Sequence, residues 1–426
     1  MRHHSVRKII VFAFSQLLFL AACGGGGADL IGGGSSTGGS GSTGTGQTIA
    51  TINNTNVIAV QVDTGPSGET STQANIPYVS VKICAPGSTT NCQTIDHMEV
   101  DTTSYGVRVI SSVLSSTLLA ALTQETVATG NLVECTMFAD GYSWGSMHVA
   151  DVVMGTETAA SQSVQIIGDP NYPTVPTACS NQVPNEEDTV STFGANGIIG
   201  VGPFVQDCEG CVGNSTLGVY WACPSGGGTC KPAAVTETAQ EASNPVFSFA
   251  TDNNGVILEL PAISASGAAT ADGALVFGVG TESNNTLGSA KAFTVDENAS
   301  MTIVYKGVPY TDGILDSGSN LIFFNDGSIS TTGTPPDQVY TPSTTQSLSA
   351  ELEGLNNVTE TVSFSIANAD TLFEANPSFA AFDNVGAPTS DAEGFDLGLP
   401  FFYGRNIFVV IEGKTVASST GPFFAL

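Results

Sequence analysis

Two short stretches, one in each half of the 426-residue chain, carry the same residue types in the same order. Residues 312–324 read Asp312-Gly313-Ile314-Leu315-Asp316-Ser317-Gly318-Ser319-Asn320-Leu321-Ile322-Phe323-Phe324. Residues 98–110 read Met98-Glu99-Val100-Asp101-Thr102-Thr103-Ser104-Tyr105-Gly106-Val107-Arg108-Val109-Ile110. Each sets an acid, a hydroxyl residue, a small residue and a serine between apolar runs. Asp-Ser-Gly alone is ordinary turn composition. Its repetition predicts two related halves, each delivering one carboxylate.

The text around these stretches reads as strands and turns. Val57–Val62 alternates, and Tyr78–Cys84 alternates more clearly. A turn-rich loop follows, and residues 93–100 lead into Asp101. In the second half, Met301–Tyr305, the Lys306-Gly307 pair and Val308–Tyr310 form a hairpin leading to Asp316. Charged residues are only 12%, which suits an all-β exported protein. Residues 233–242 are the best helix candidate in the first half.

Strand, turn, strand and then an acid at the strand end resembles the pepsin-like aspartic peptidases. The resemblance runs from about residue 76 to 426. It implies an all-β, bilobal fold with a few short helices, and a catalytic pair Asp101 and Asp316 that shares a proton and activates a water. It further implies that Thr102 and Ser317 bond across the lobe junction. Ser104 and Ser319 would hold the outer carboxylate oxygens, and Gly318 would pack against the acids. Thr103 stands where the family has glycine. Asp63-Thr64-Gly65 matches the family triplet literally, but Pro66-Ser67-Gly68-Glu69 follows it with no apolar exit strand, so Asp101 is preferred.

Met137–Ser146 contains Asp140-Gly141 between strand-like runs, a strong hairpin signal. It resembles the family's flap, whose tyrosine falls at Phe138, with Tyr142 and Trp144 as alternatives; Trp144 also reads as a buried aromatic. Ala195–Gly202 resembles the apolar-apolar-Gly segment behind the first Asp, and Phe395–Ile411 the equivalent closing segment. The order hairpin, Asp, apolar-Gly recurs, with 96 residues from Asp101 to Gly197 and 82 from Asp316 to Gly398. Asn244–Phe249 resembles the segment crossing between lobes, and Gly273–Gly280 the opening of the second.

At the N-terminus, Arg2, Arg7 and Lys8 precede an apolar run from Ile9 to Leu20, too short to span a bilayer. Leu20-Ala21-Ala22-Cys23 closes it. Residues 1–22 therefore read as a lipoprotein signal peptide, with Cys23 acylated (palmitate among its lipids). Gly24 and Gly25 follow with no inner-membrane retention aspartate, which points to a bacterial outer-membrane lipoprotein. Residues 23–47 are a Gly/Ser/Thr tether reaching about 26 Å from the lipid. The remaining divisions are a disulfide-rich N-terminal lobe, 48–245, and a C-terminal lobe, 246–426.

Removing residues 1–22 takes three of ten basic residues and none of 39 acidic ones, leaving 7 − 39 = −32. Such a surface repels nucleic acid and anionic lipid. The expected partners are a peptide or protein substrate in the interlobe cleft, and the membrane through the lipid. The chain is expected to be monomeric, with no nucleic acid, metal or cofactor required. Eight cysteines remain after Cys23, all between residues 84 and 230, and an even count in an exported chain implies disulfides. Cys84 and Cys92 flank one loop. Cys135 can pair with Cys179, and Cys208, Cys211, Cys223 and Cys230 among themselves, the last four also reading less well as a zinc site.

The resemblance implies an acid-favouring endopeptidase. Thr103 and Phe138 favour a rival, a degenerate relative that binds peptide or a partner protein without cleaving it. A serine hydrolase using Ser317 lacks a recognisable triad around His97 or His148. An envelope structural protein is expected only if the duplication is illusory.

Overall fold

A computed structural model describes residues 47–426 apart from 69–72, 184, 227 and 336. The expected signal peptide, Cys23 and nearly all of the expected tether lie outside the described residues. The fold is all-β and bilobal with a few short helices, as the resemblance implies. Among the described residues no helix is long and apolar enough to cross a membrane.

The duplication is visible as strand order. In the first lobe, strand Pro77–Cys84 forms a hairpin with Cys92–Asp101, stapled by the Cys84–Cys92 disulfide. Gly197–Val201 then lies parallel to Cys92–Asp101 and antiparallel to Tyr105–Ile110. Tyr105–Ile110 in turn runs parallel to Glu157–Ile167. The second lobe repeats this. Hairpin Met301–Tyr305 and Val308–Leu315 turns at Lys306-Gly307, both at positive φ, as a tight two-residue turn requires. Gly394–Leu397 lies parallel to Val308–Leu315 and antiparallel to Ile322–Phe323, which is parallel to Gly386–Ala387.

A shared sheet joins the halves. Val57–Val62 pairs along its whole length with Ala271–Phe277, which pairs with Gly255–Leu260, and that with Arg405–Val410. Phe423–Ala425 and Ala292–Thr294 complete the series. The same first strand touches Pro77–Cys84, so it belongs to both lobes' hydrogen bonding. Gln47 is pinned there too, its side-chain amide donating to Leu260 O, Arg405 O and Asn406 Oδ1. One continuous core of buried aliphatic and aromatic side chains runs from Ile58 to Phe424 through both halves.

The other disulfides are Cys135–Cys179, Cys208–Cys211 and Cys223–Cys230, so the four-cysteine cluster is oxidised and holds no zinc ligands. The helix expected over residues 233–242 is absent; only a 3-10 turn forms at Thr238–Gln240. Ala233 N donates to Tyr220 O, Val235 bridges to Val212, and the Gln240 carboxamide accepts from Thr236 N. Those partners hold the segment extended against its neighbours.

Asn75 locks the first lobe to the loops behind the second acid. It is fully buried with φ 57°, a region asparagine tolerates better than most residues. Its amide donates to Asn320 O and Phe382 O at 3.0 Å each, and its carbonyl accepts from Phe382 N at 2.8 Å and the Tyr403 hydroxyl at 3.0 Å. Asn75→Ala strands four buried groups and is expected to cost about 3 kcal/mol. Urea unfolding measures this, and an unchanged midpoint would remove Asn75 from the lobe contact.

Candidate active site

The two acids stand at equivalent places. Asp101 ends strand Cys92–Asp101, and Asp316 follows strand Val308–Leu315 directly. Behind each loop runs the inserted strand of its lobe. Gly200 lies opposite Asp101, where a Cβ would overlap Tyr105 N and Ser104 C. Gly398 occupies the matching place, where a Cβ would overlap Leu321 O and Ser319 O. The equivalent of Gly398 is therefore Gly200 rather than Gly197, which lies opposite Met98, and the first spacing is 200 − 101 = 99 residues.

The loops are tied to each other by two side chains. Thr102 Oγ1 donates to Leu315 O at 2.8 Å and accepts from Ser317 N at 3.0 Å. Ser317 Oγ donates to Val100 O at 2.7 Å and accepts from Thr102 N at 3.1 Å. Both residues are fully buried, so each hydroxyl saturates backbone groups of the opposite lobe that no water can reach. Ser317 is thereby committed. His97 bonds Asp63 and His148 bonds Ser146, so neither histidine forms a triad with it.

This exchange sets Asp101 beside Asp316. A Cβ at Gly318 would lie 3.0 Å from Asp101 Cγ and 3.2 Å from Asp316 Oδ1, so the glycine touches both carboxyl groups. Thr103 N donates to Asp101 Oδ1 at 2.8 Å, and Gly318 N to Asp316 Oδ1 at 2.8 Å. Asp101 and Asp316 are 7% and 3% exposed, which makes a second negative charge there costly. Burial first, and then the Asp101 charge, push Asp316 up to about 8, against hydrogen bonds from Ser319, Gly318 N and Thr103.

The loops differ in side chains. Ser319 Oγ bonds Asp316 Oδ2 at 2.9 Å, as the resemblance implies. Ser104 does not do the same for Asp101. Its backbone N donates to Asp101 Oδ1 at 3.2 Å, while its hydroxyl is buried and unbonded. Thr103 supplies a hydroxyl instead, donating to Asp101 Oδ1 at 3.1 Å and reaching Asp316 as well.

Two further acids join the group, and the motif did not include them. Glu99 lies two residues before Asp101 and is buried; burial, then the charges of Asp101, Asp316 and Asp140, push its carboxyl well above the usual range. Asp396, on the inserted strand of the second lobe, is raised by burial and by Asp316. Its Oδ2 forms a short hydrogen bond with Ser319 Oγ. Among the described residues no cluster of His, Cys, Asp or Glu is arranged to hold a metal ion.

The Asp140-Gly141 hairpin forms between Gly130–Met137 and Tyr142–Met154, closed by Phe138 N donating to Gly141 O. Phe138 packs edge-on to Phe193. Tyr142 and Trp144 are buried with the Cys135–Cys179 disulfide, and the Trp144 indole donates to Tyr172 O, so neither ring is free to cover a ligand. Between the hairpin and the first acid loop lies a cavity of about 310 Å³, lined by Thr103, Ser104, Tyr105, Thr136 and Phe138 among others. Arg108 reaches this cavity, and its buried guanidinium donates to Glu134 at 2.6 Å and Asp207 at 2.9 Å. The literal triplet Asp63-Thr64-Gly65 is a separate turn: Gly65 N and His97 hold Asp63.

Two predictions follow from this geometry. Thr102→Val leaves Ser317 N without its acceptor and is expected to cost about 2 kcal/mol; with Ser317→Ala added, the loss falls short of the sum of the single losses, because both act on one junction. Additive losses in denaturant titrations would show the junction is not a unit. The second concerns pH. Glu99, Asp316 and Asp396 all bind protons more tightly folded than unfolded, so stability falls as pH rises above about 4, the Asp316 share being lost by about 8. The urea midpoint is expected to be lower at pH 8 than at pH 5, and Glu99→Gln to shrink that difference. An equal difference in the variant would mean that overall charge repulsion causes it.

No curated protein sequence matches the chain. Among solved structures, an aspartic proteinase from Irpex lacteus is similar with a TM-score of 0.49 and 14% identity, over 87% of this chain and 96% of that one. Residues 52–426 match the family described as "Protein of unknown function (DUF3443)", and with nearly the whole folded chain covered, the chain belongs to that family.

Proposed function

We propose that the chain hydrolyses peptide bonds with Asp101 and Asp316 as a proton-sharing pair. The observation that carries this reading is the placement of two buried carboxyl groups against Gly318 by the exchange between Thr102 and Ser317. Two carboxylates so close hold one proton between them over a wide pH range. The ionised one takes a proton from a water that attacks the scissile carbonyl, while the protonated one donates to the carbonyl oxygen. The new C–O bond replaces the C–N bond as the departing amine takes a proton from the pair and the tetrahedral intermediate, re-forming its carbonyl, returns one to it. The substrate is a peptide or unfolded protein lying between the lobes, beneath the Phe138–Gly141 hairpin. The protein acts as a monomer on a lipid anchor at Cys23 in the outer membrane, facing either the periplasm or the cell surface.

Thr103 supports a second reading. Its hydroxyl lies against Asp101 Oδ1 and reaches Asp316, on the side that the loop N–H groups address. A hydroxyl there competes with an attacking water, and the site then binds peptide or a partner protein without cleaving it.

The test is proteolysis of a denatured protein pool by the full chain from pH 3 to 9. Asp101→Asn and Asp316→Asn are each expected to lower the rate on the order of 10² to 10⁴-fold. Cleavage is expected to persist at neutral pH and to fall as pH rises through about 8, where Asp316 loses its proton. An inert parent that gains activity with Thr103→Gly would replace the enzyme with the binder. An inert parent unaffected by that change would overturn the hydrolase.

A further inference from the structure

Ser319 stands between two acids with a single hydrogen to give. Its Oγ is hydrogen-bonded both to Asp316 Oδ2 and to Asp396 Oδ2. A hydroxyl donates once, and an ionised carboxylate only accepts. One of the two carboxyl groups must therefore carry a proton on the oxygen that faces Ser319.

The surroundings decide which. Asp396 lies in register with Ile314 on one neighbouring strand and Phe323 on the other, and between Phe395 and Leu397 on its own. Its other oxygen, Oδ1, is buried with no hydrogen-bond partner. The charged groups whose fields reach it are Asp316 and Asp101, both acidic, and no Lys, Arg or His among the described residues pairs with it. An ionised carboxylate there would keep a bare oxygen in an apolar wall beside two other acids, whereas Asp316 has Gly318 N on its second oxygen.

We propose that Asp396 is a positioning residue for the acid pair: it holds a proton on Oδ2 and donates it to Ser319 Oγ, which directs its own hydrogen to Asp316 Oδ2. Asp316 Oδ2 is then always an acceptor, and the proton that Asp316 shares with Asp101 is confined to Oδ1, the oxygen that Gly318 N addresses. No bond other than O–H is involved, and the site carries one proton on Asp396 in addition to the one in the pair. The proposal rests on the assignment of Asp101 and Asp316 as the site but not on cleavage.

The test is infrared spectroscopy of the full chain with ¹³C-carboxyl-labelled aspartate at pH 7. Two protonated-carboxyl carbonyl bands, identified by their isotope shift, are expected in the parent, one from the acid pair and one that is lost in Asp396→Asn but kept in Asp316→Asn. Ser319→Ala is expected to keep that band and move it to higher frequency, because the acid loses its acceptor. An Asp396→Asn spectrum identical to the parent's, or an Asp396 band unmoved by Ser319→Ala, would overturn the proposal; if Asp396→Asn does not fold, Ser319→Ala measured in the Asp316→Asn background decides alone. In activity, Asp396→Asn, whose amide still donates to Ser319, is expected to keep the parent's pH profile, whereas Asp396→Leu changes it. A parent that cleaves nothing but keeps the band overturns the hydrolase and leaves this inference intact.

Discussion

The exchange of hydroxyls between Thr102 and Ser317 is the interaction on which the site depends. Each side chain satisfies backbone groups of the other lobe, so neither loop can shift without exposing unpaired polar atoms in a region sealed from water. The shared sheet brings the halves to roughly the right distance. The hydroxyls then convert that distance into an alignment of Asp101 with Asp316, and Asn75 braces the loops behind the second acid.

Backbone symmetry and chemical asymmetry coexist at this junction. The two lobes repeat the same strands around the same loops, yet Thr103 faces Gly318, an unbonded Ser104 faces a doubly bonded Ser319, and the surplus acids fall on different strands of the repeat. Glu99 precedes its acid on the incoming strand, whereas Asp396 lies on the inserted one. Each departs from pure repetition only in side chains, where divergence leaves the hydrogen-bonded frame undisturbed. The result is a pair of acids in unequal environments, which is what separates a proton donor from a proton acceptor.

Much of this was legible in the chain. The doubled acid-hydroxyl motif named Asp101, Thr102, Asp316, Ser317 and Ser319, because loops this tightly packed leave their residue types little freedom. Asp140-Gly141 announced its hairpin, and the loop between Cys84 and Cys92 announced its disulfide. Register was harder. Gly197 and Gly200 both border Ile198-Ile199, and only the strand partner shows that Gly200 lies against the acid loop. Side-chain direction was harder still: Trp144 and Tyr142 lie on the hairpin but pack into a satellite core, and Ser104 has the right type but turns away from the bond. Glu99 and Asp396 were visible as acids inside apolar strands, a costly placement that marks them for attention. Asp316 and Asp140 beside Glu99, and Ser319 and Asp316 beside Asp396, come from segments distant in sequence, which no local pattern reveals.

The attachment of Gln47 and of strand Val57–Val62 to the sheet common to both halves bears on how the folded part responds to mechanical load. A pull transmitted along the preceding segment arrives at strands Gly255–Leu260, Ala271–Phe277 and Arg405–Val410 of the second lobe and, through Val57–Val62, at Pro77–Cys84 of the first. Tension is thus taken up at the sheet common to both halves before it reaches the strands that carry the two acids.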